Sequence, residues 1–214
     1  MSQVPRPGGA SAAEVFDAVG ARYEEVFADV PGQLEALDWL TGRLRPGARV
    51  LDVGSGTGRP AAETLVRAGF AVTGIDVSAE MVRLARRRVP GADFRQADVR
   101  AYRAPEGGYD AVCAFFPLLM MDQPEVETSL SAMASWVAPG GAFAMATVPG
   151  DVRNLDIEWM GHRVTVSSLA AADQLRVLED AGLEVVHHHT ALYRPHGPDA
   201  EPEPHLYVHA HRPG

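Results

Sequence analysis

Residues 50–60 read VLDVGSGTGRP, an apolar run followed by three glycines at alternate positions. The apolar run predicts a buried strand over 49–53. Glycine adopts backbone conformations that other residues avoid and lets the chain approach a ligand closely, so Gly54–Gly58 is predicted to be a tight loop. Pro60 suits the first turn of a helix, where its missing N–H is no loss. The stretch therefore predicts a strand–loop–helix unit with its loop at the carboxyl end of the strand, where open α/β sheets bind ligands.

The chain beyond this unit alternates between strand and helix. Continuous apolar runs predict further strands over 71–75, 93–97, 109–116 and 141–148, separated by helices near 60–68, 78–88 and 124–137. Strands that are apolar on both faces are typical of a parallel sheet covered by helices. Residues 151–163 are predicted to be irregular; a helix over 168–181 and strands over 183–193 and 204–211 follow. We expect an α/β fold with a doubly wound, mostly parallel seven-stranded sheet.

The residues before the first strand predict a helical cap. Ser11 and Glu14 have capping-box spacing, and apolar residues follow at helical spacing from Val15 to Phe27. Pro31-Gly32 is expected to break this helix before a second one over 33–44. The predicted division is a disordered tail (1–10), a cap or lid (11–45) and the main domain (46–214), within which 149–165 is a possible second lid.

Composition excludes several classes of function. The 214 residues are 46% hydrophobic and carry a net charge of −9, which disfavours binding to nucleic acid. The single cysteine, Cys113, cannot form an intrachain disulfide and is predicted to be a buried, inert thiol. The N-terminus shows no signal peptide and no apolar run is long enough to span a bilayer. We expect a cytoplasmic protein with no membrane partner, either a monomer or a homodimer.

Two common cofactor loops fit the glycine pattern poorly. A dinucleotide fingerprint would place its third glycine at position 59, where Arg59 stands. A P-loop would continue with lysine and then serine or threonine, whereas Arg59-Pro60 follows Gly58. A nicotinamide-dependent oxidoreductase is therefore disfavoured, and the pattern to explain is Asp52-x-Gly54-x-Gly56-x-Gly58.

That pattern, DVGSGTG after an apolar strand, resembles motif I of class I S-adenosylmethionine-dependent methyltransferases. Four more segments resemble the family in order and on predicted strand ends: GID at 74–76, QAD at 96–98, YDAVCAFF at 109–116 and WVAPGGAFAMATV at 136–148. The resemblance covers about residues 14–148. It implies a Rossmann-like fold, S-adenosyl-L-methionine as cofactor, S-adenosyl-L-homocysteine as product, and methyl transfer as the reaction.

The resemblance also implies roles for individual residues. Asp76 would accept hydrogen bonds from the ribose hydroxyls, since a charged acceptor makes the stronger bond. Asp98 would accept from the adenine amine while the Val99 N–H donates to a ring nitrogen. Val77 and Met81 either flank the adenine or belong to the core of the following helix. Asp52 either orients the glycine loop or reaches the methionine end of the cofactor, and Gly54 and Gly56 would let the loop backbone pack against the cofactor. Ser55, Gly58 and Phe115 are also expected to contact it.

The residues that handle the methyl acceptor are less specified. Methyl transfer is an in-line displacement at a carbon already activated by a sulfonium, so the protein must align the acceptor and exclude water. A general base is needed only for some acceptors. Candidates are Tyr23, which either closes over the cofactor or simply packs, and His162, which is either a base or a surface histidine. The apolar residues after the fourth strand, through Met120, predict an acceptor wall or plain core.

A metal site is not predicted. In the run His187-His188-His189 neighbouring side chains point to opposite faces of a strand, so at most His187 and His189 share a face. Pro117 also does not belong to an Asn-Pro-Pro-Tyr tetrad, which disfavours methylation of nucleic-acid bases. The sequence thus predicts a metal-independent methyltransferase acting on a small, fairly apolar molecule. The alternative is a protein of the same fold that binds the cofactor without methylating, as the enzyme of another reaction or as a binding module.

Overall fold

Seven strands form one central sheet in the order β3-β2-β1-β4-β5-β9-β8. The structure, a computed structural model, describes residues 10–27, 30–196 and 201–214, so that positions 1–9 of the predicted tail lie outside it. Strands β1 to β5 run parallel, β9 runs antiparallel to β5, and β8 runs antiparallel to β9. The strands are β1 Arg49–Val53, β2 Ala71–Asp76, β3 Asp93–Gln96, β4 Tyr109–Phe115, β5 Val137–Thr147, β8 Glu184–Tyr193 and β9 Glu203–His211.

Helices cover both faces of this sheet, as a doubly wound fold requires. Apolar side chains of α3, α4 and α5, such as Leu37 and Leu65, form one core with alternate residues of the central strands. Side chains of α6 and α7, such as Met133 and Leu178, form the core on the opposite face. The helices are α1 Ala12–Val19, α2 Arg22–Val26, α3 Pro31–Thr41, α4 Ala61–Arg67, α5 Ala79–Arg88, α6 Gln123–Ser135 and α7 Ala171–Asp180. The predicted fold class is confirmed.

The N-terminal segment differs from the single helix that its apolar spacing predicted. Ser11 and Glu14 do form the capping box of α1, but the helix ends at Gly20, whose φ is 51°, and α2 begins two residues later. Glycine reaches this left-handed conformation at no steric cost, so it interrupts the helix. Pro31 does not separate two helices but opens α3, because proline fits a first helical turn.

The prediction that residues 151–163 are irregular is wrong. Strands β6 (Val152–Trp159) and β7 (His162–Ser168) form a separate two-stranded antiparallel hairpin. Met160 and Gly161, the two residues between them, both have positive φ (51° and 81°), as a tight hairpin turn requires. The signal was present in the alternation of apolar and polar residues on both sides of Met160-Gly161.

The helices of the described residues were also compared with the requirements of a membrane span. None of the helices within 10–27, 30–196 and 201–214 is both long and apolar enough to cross a bilayer.

Candidate active site

The glycine loop lies at the carboxyl edge of the sheet between β1 and α4. Gly54, Gly56 and Gly58 all have positive φ, at 69°, 51° and 83°. The N–H groups of Gly54 and Ser55 both donate to the Ile75 carbonyl, at 2.8 and 3.0 Å, which ties the loop to the end of β2. A Cβ on Gly54 would lie 2.4 Å from the Cβ of Pro117, whereas a Cβ on Gly56 would meet no atom within 4 Å. The loop is thus packed on one side and open at Gly56.

Asp76 ends β2 beside this loop, as the sequence predicted. Its Oδ2 accepts a hydrogen bond from the Gly56 N–H at 2.8 Å and its Oδ1 accepts one from the Ser78 N–H at 2.9 Å. Burial raises the pKa of the Asp76 carboxyl, while the N–H groups of Ser78 and Gly56 lower it. A carboxylate offers about four acceptor positions, so Asp76 keeps capacity to accept from a ligand at the open side of Gly56.

Two buried polar atoms next to the loop have no hydrogen-bond partner within the described residues. They are Oδ2 of Asp52 and Oγ of Ser55. Asp52 is 1% exposed, and its Oδ1 accepts a long contact from the Cys113 thiol at 3.6 Å. Burial raises the pKa of the Asp52 carboxyl to about 7, the thiol contact lowers it and the charge of Asp76 raises it. Cys113 is buried, as predicted.

The residues predicted to hold the adenine lie beyond β2 and β3. Asp98 pairs with the Arg100 guanidinium, whose Nη2 lies 2.6 Å from Oδ2, and Arg100 also pairs with Glu125 at 2.8 Å. Burial alone would raise the pKa of Asp98, but its hydrogen bonds and ion pair with Arg100 lower it overall. Any bond from an adenine amine would therefore share this carboxylate with Arg100.

The other three residues predicted on the cofactor's adenine side differ in accessibility. Val77 is partly exposed directly after β2, and its carbonyl accepts from Gln96 at 3.2 Å. Met81 is 1% exposed inside α5, and Val99 is 8% exposed in the core that faces α6. Of the two interpretations of Met81, packing within the helix layer accounts for its burial, while Val77 remains available at the edge.

Helices α1 and α2 contact the same edge of the sheet directly. Asp17 in α1 accepts hydrogen bonds from the Ser78 hydroxyl at 2.6 Å and from the Glu80 N–H at 3.0 Å, at the start of α5. Glu24 in α2 accepts from the Thr57 hydroxyl in the glycine loop and pairs with Arg88 at 2.5 Å. Sequence reasoning missed both carboxylates, because nothing in the spacing of Asp17 or Glu24 shows which part of the sheet they meet.

Tyr23 lies between these helices and the β6–β7 hairpin. It stacks on Phe27 with ring centroids 5.0 Å apart, and Phe16, Phe27 and Trp159 complete the aromatic cluster. Burial raises the pKa of the Tyr23 hydroxyl, and the charges of Glu203 and Asp76 raise it further. The suggested closure of Tyr23 over the cofactor stays a prediction.

The turn after β4 adjoins the glycine loop. Phe115 is 8% exposed and belongs to the core, whereas Phe116 is partly exposed and has a positive φ of 62°. Pro117 is the residue that fills the space beside Gly54. Phe116 faces the other way and lies 4.4 Å, centroid to centroid, from the ring of His205 on β9.

The two histidine predictions have different outcomes. His162 begins β7 at the tip of the hairpin, paired across the strands with Trp159, and nothing tests its suggested role as a base.

His187 and His189 share a face of β8, with Nε2 of His187 and Nδ1 of His189 3.2 Å apart. His209 of β9 lies beside His187, and its pKa falls to about 4 through burial and through the neighbouring His187, His189 and Arg43. Across the described part of the chain, no group of three or more His, Cys, Asp or Glu residues is arranged to hold a metal ion.

Comparison with known proteins agrees with this geometry. A family described as "Methyltransferase domain" matches residues 50–141. A demethylmenaquinone methyltransferase of Renibacterium salmoninarum is 33% identical over 140 residues, covering 63% of this chain and 57% of the relative. A ubiquinone biosynthesis O-methyltransferase of Xanthomonas axonopodis pv. citri is 35% identical over 118 residues, covering 52% and 48%. The chain thus spans about half the length of the curated relatives it matches.

Among solved structures, a complex titled "DhpI-SAH complex structure" is 25% identical, with a TM-score of 0.65 over 94% of this chain and 95% of that one. The matched stretch 50–141 begins in β1 and runs through the glycine loop, Asp76 and β4 into β5. Residues 50–141 are therefore similar to the methyltransferase domain, within a fold shared with S-adenosylmethionine-dependent methyltransferases.

The residues at this edge of the sheet fit S-adenosylmethionine as cofactor. A nucleoside needs an acceptor for its ribose hydroxyls, which the Asp76 carboxylate provides, and room beside the backbone, which the open side of Gly56 provides. The unpartnered Asp52 Oδ2 is a buried acceptor for which a cationic ammonium is the matching donor. Asp52, Gly56 and Asp76 are the residues that would hold the cofactor on this account.

Proposed function

We propose that this protein transfers the methyl group of S-adenosylmethionine to a small, fairly apolar molecule. The observation that carries the proposal is the hydrogen bond from the Gly56 N–H to the Asp76 carboxylate. It supports the proposal because a charged acceptor lies beside a backbone with open space for a ligand. The matched relatives are named for demethylmenaquinone and ubiquinone biosynthesis, which supports a small-molecule acceptor.

The chain's own residues supply positioning and exclusion of water. When bound, the cofactor supplies a methyl carbon activated by a sulfonium, and no metal is needed for its displacement. Asp76 and the glycine loop orient the cofactor, and the turn at Phe116-Pro117 stands over the first glycine of that loop. The cap helices α1 and α2, held by Asp17 and Glu24, shield the site from water together with the hairpin. Alignment of the reactants and removal of water are the contributions such a displacement requires.

The acceptor side is proposed to lie between the cap and the turn after β4. Tyr23 and Phe116 offer aromatic surface there, and residues 149–165, which contain most of the hairpin, act as the second lid. Oligomeric state and the absence of nucleic-acid partners remain expectations from the sequence, the latter supported by the net charge of −9.

Calorimetric titration tests the proposal. S-adenosylmethionine and S-adenosylhomocysteine are expected to bind the purified protein with micromolar affinity, and NAD is not. Asp76→Ala should abolish this binding, and Asp76→Asn, which keeps the side-chain shape, should weaken it at least tenfold because the ribose loses a charged acceptor. Asp93→Ala is the matched control, since Asp93 is an exposed carboxylate at the opposite edge of the sheet, paired with Arg95 on its own strand.

Absence of binding of both sulfur ligands to wild-type protein carrying no bound nucleoside would refute the proposal. Micromolar binding with no methylated product from any acceptor would instead favour the alternative, a methyltransferase-fold protein that uses the cofactor for another purpose. Circular dichroism of each variant establishes that a loss of binding does not arise from unfolding.

A further inference from the structure

A row of polar side chains on β9 leads to the proposed acceptor side. Glu203, His205, Tyr207 and His209 occupy alternate positions of this strand and so share one face of the sheet. Because β9 is antiparallel to β5, its first residues lie at the carboxyl edge, where Thr147 pairs with Leu206. Glu203 and His205 are therefore at the same edge as the glycine loop, while His209 is farther down the face under Trp39.

His205 connects this row to the turn after β4. The ring of Phe116 lies 4.4 Å from that of His205, and Tyr193 of β8 stacks on its other side at 4.9 Å. The residue after Phe116 is Pro117, which packs on Gly54. The turn at Phe116-Pro117 therefore contacts His205 on one side and Gly54, the first glycine of the cofactor loop, on the other.

The hydrogen bonds of His205 fix which of its nitrogens carries the proton. Nε2 lies 2.8 Å from Oε1 of Glu203, and Nδ1 lies 3.2 Å from the Tyr207 hydroxyl. A carboxylate can only accept, so Nε2–H donates to Glu203. In the neutral ring Nδ1 then accepts from the Tyr207 O–H, and the imidazole holds the carboxylate in one orientation.

Glu203 is the accessible end of this chain of bonds. Its side chain is 38% exposed, whereas that of His205 is 2% exposed. The Glu203 charge also acts on the Tyr23 hydroxyl of the cap, which feels Asp76 of the cofactor site at the same time. Glu203 is therefore a partly exposed carboxylate that a buried imidazole holds at the carboxyl edge of the sheet.

We propose that Glu203 is the general base of the acceptor site, with His205 as its positioning residue, and that the acceptor is a hydroxylated aromatic. The proposal rests on the methyl transfer proposed above. The acceptor oxygen forms its bond to the methyl carbon as the carbon–sulfur bond breaks, sulfur keeps the electron pair, and the hydroxyl proton passes to the Glu203 carboxylate. The partly exposed rings of Phe116 and Tyr193, which both pack on His205, offer aromatic surface on which a planar acceptor can lie.

The β8–β9 pair contains its own control. His211 and Glu184 form a second histidine–glutamate pair at the opposite end of the same two strands, with Nε2 and Oε2 3.6 Å apart. It has the same residue types, but it joins β8 to β9, whereas Glu203 and His205 both lie on β9, and it lies at the edge away from the glycine loop. Glu184→Gln is therefore the control for the loss of a glutamate charge and a histidine contact on this strand pair outside the proposed site.

The test uses 4-nitrocatechol, whose colour reports ionisation of its hydroxyl, with the full-length protein. S-adenosylhomocysteine binding is measured first and is expected to be the same in wild type, Glu203→Gln, His205→Asn and Glu184→Gln. The probe is then titrated onto each complex. In Glu203→Gln the pKa of the bound probe should fall by about one unit, because the neighbouring negative charge that opposes its ionisation is gone. His205→Asn should shift it in the same direction by less.

Methylation of unsubstituted catechol, whose hydroxyls stay protonated at neutral pH and so need a base, gives the second measurement. Glu203→Gln should lower kcat with S-adenosylmethionine about 100-fold or more with little change in KM, whereas Glu184→Gln should leave it unchanged. The proposal is overturned if the two glutamine variants behave alike, or if the wild-type complex does not bind the hydroxylated probe. Loss of S-adenosylhomocysteine binding in the wild type would instead refute the underlying methyltransferase proposal, so the two failures are distinguishable.

Discussion

Gly54 and Gly56 of the loop lack a side chain for different physical reasons. Gly54 is required because Pro117 occupies the position of its missing side chain. Gly56 adopts a φ of 51° and faces open space, while its N–H is committed to Asp76. Close packing against Pro117 therefore explains why residue 54 is glycine, and the close approach of a ligand best explains why residue 56 is glycine.

Gly56→Ala should destroy cofactor binding without unfolding the protein. The methyl group would enter the space proposed for the cofactor, so we expect at least a tenfold loss of S-adenosylhomocysteine affinity by calorimetry. Left-handed backbone costs an alanine about 1 kcal/mol of stability. Gly47→Ala controls for that cost, because Gly47 also has a positive φ (78°) and open space around it but lies before β1, away from the site. Equal, undiminished binding in both variants would contradict the placement of the cofactor.

The buried carboxyl of Asp52 lowers the stability of the folded protein when it is ionised. It is 1% exposed, one of its oxygens has no partner within the described residues, and burial raises its pKa to about 7. Between the ordinary value of 3.8 and about 7, the folded protein binds a proton that the unfolded chain does not. The stability of the cofactor-free protein therefore decreases as the pH rises through this interval, by a few kcal/mol at most (~1.4 kcal/mol per unit).

Asp52→Asn should remove that pH dependence. The amide cannot ionise, so we expect a higher Tm than wild type at pH 8 and a similar Tm at pH 5, measured by thermal unfolding without cofactor. S-adenosylmethionine should bind the variant more weakly, because the buried acceptor for its ammonium has lost its charge. Wild-type and variant Tm values that keep the same separation at both pH values would show that Asp52 is not the titrating group.

The cap and the hairpin act as one unit over the carboxyl edge of the sheet. Val15 and Val19 of α1 pack with Val164 of β7 in a small core separate from the two main ones. Trp159 of β6 contacts Phe16 and Phe27 of the cap, with centroids 5.5 and 6.0 Å apart. Few buried side chains hold this unit, so it is expected to open more readily than the central sheet.

Trp159→Ala should loosen the cap selectively. Removing the indole takes away its aromatic contacts with α1 and α2, so amide hydrogen exchange in residues 12–26 should become at least fivefold faster while β4 and β5 stay protected. Leu155→Ala is the matched control, since Leu155 lies on the same strand but is 50% exposed. If exchange in the cap were unchanged by Trp159→Ala, the aromatic cluster would not be what holds it closed.

Individual elements were predictable to different degrees. The bounds of β1 agree with the expectation over 49–53, because a strand buried on both faces carries its signal in its own residues. The cap helix was predicted as continuous because apolar spacing does not reveal the left-handed turn at Gly20. The hairpin was missed because its strands are half-exposed and lie outside the central sheet, so they lack a continuous apolar run.

Across the whole chain, residues far apart in sequence meet at one edge. The cap near the N-terminus, the glycine loop near residue 55 and the start of β9 near the C-terminus all lie at the carboxyl ends of the parallel strands. The reversed direction of β9 is decisive, since a parallel strand would have placed Glu203 and His205 at the opposite edge. The order β3-β2-β1-β4-β5-β9-β8 keeps β1 and β4 adjacent, so the turn at Phe116-Pro117 reaches the glycine loop.

By itself, the sequence determined the fold class, the glycine loop and the position of Asp76, because each depends on local patterns: apolar runs, glycine spacing and an acidic residue at a strand end. Only the tertiary structure decided which other groups join them. Asp17 and Glu24 meet the loop, His205 meets Phe116, and Asp98 meets Arg100 through folding that no local pattern encodes. Long-range contacts depend on strand order and direction, which are properties of the assembled sheet.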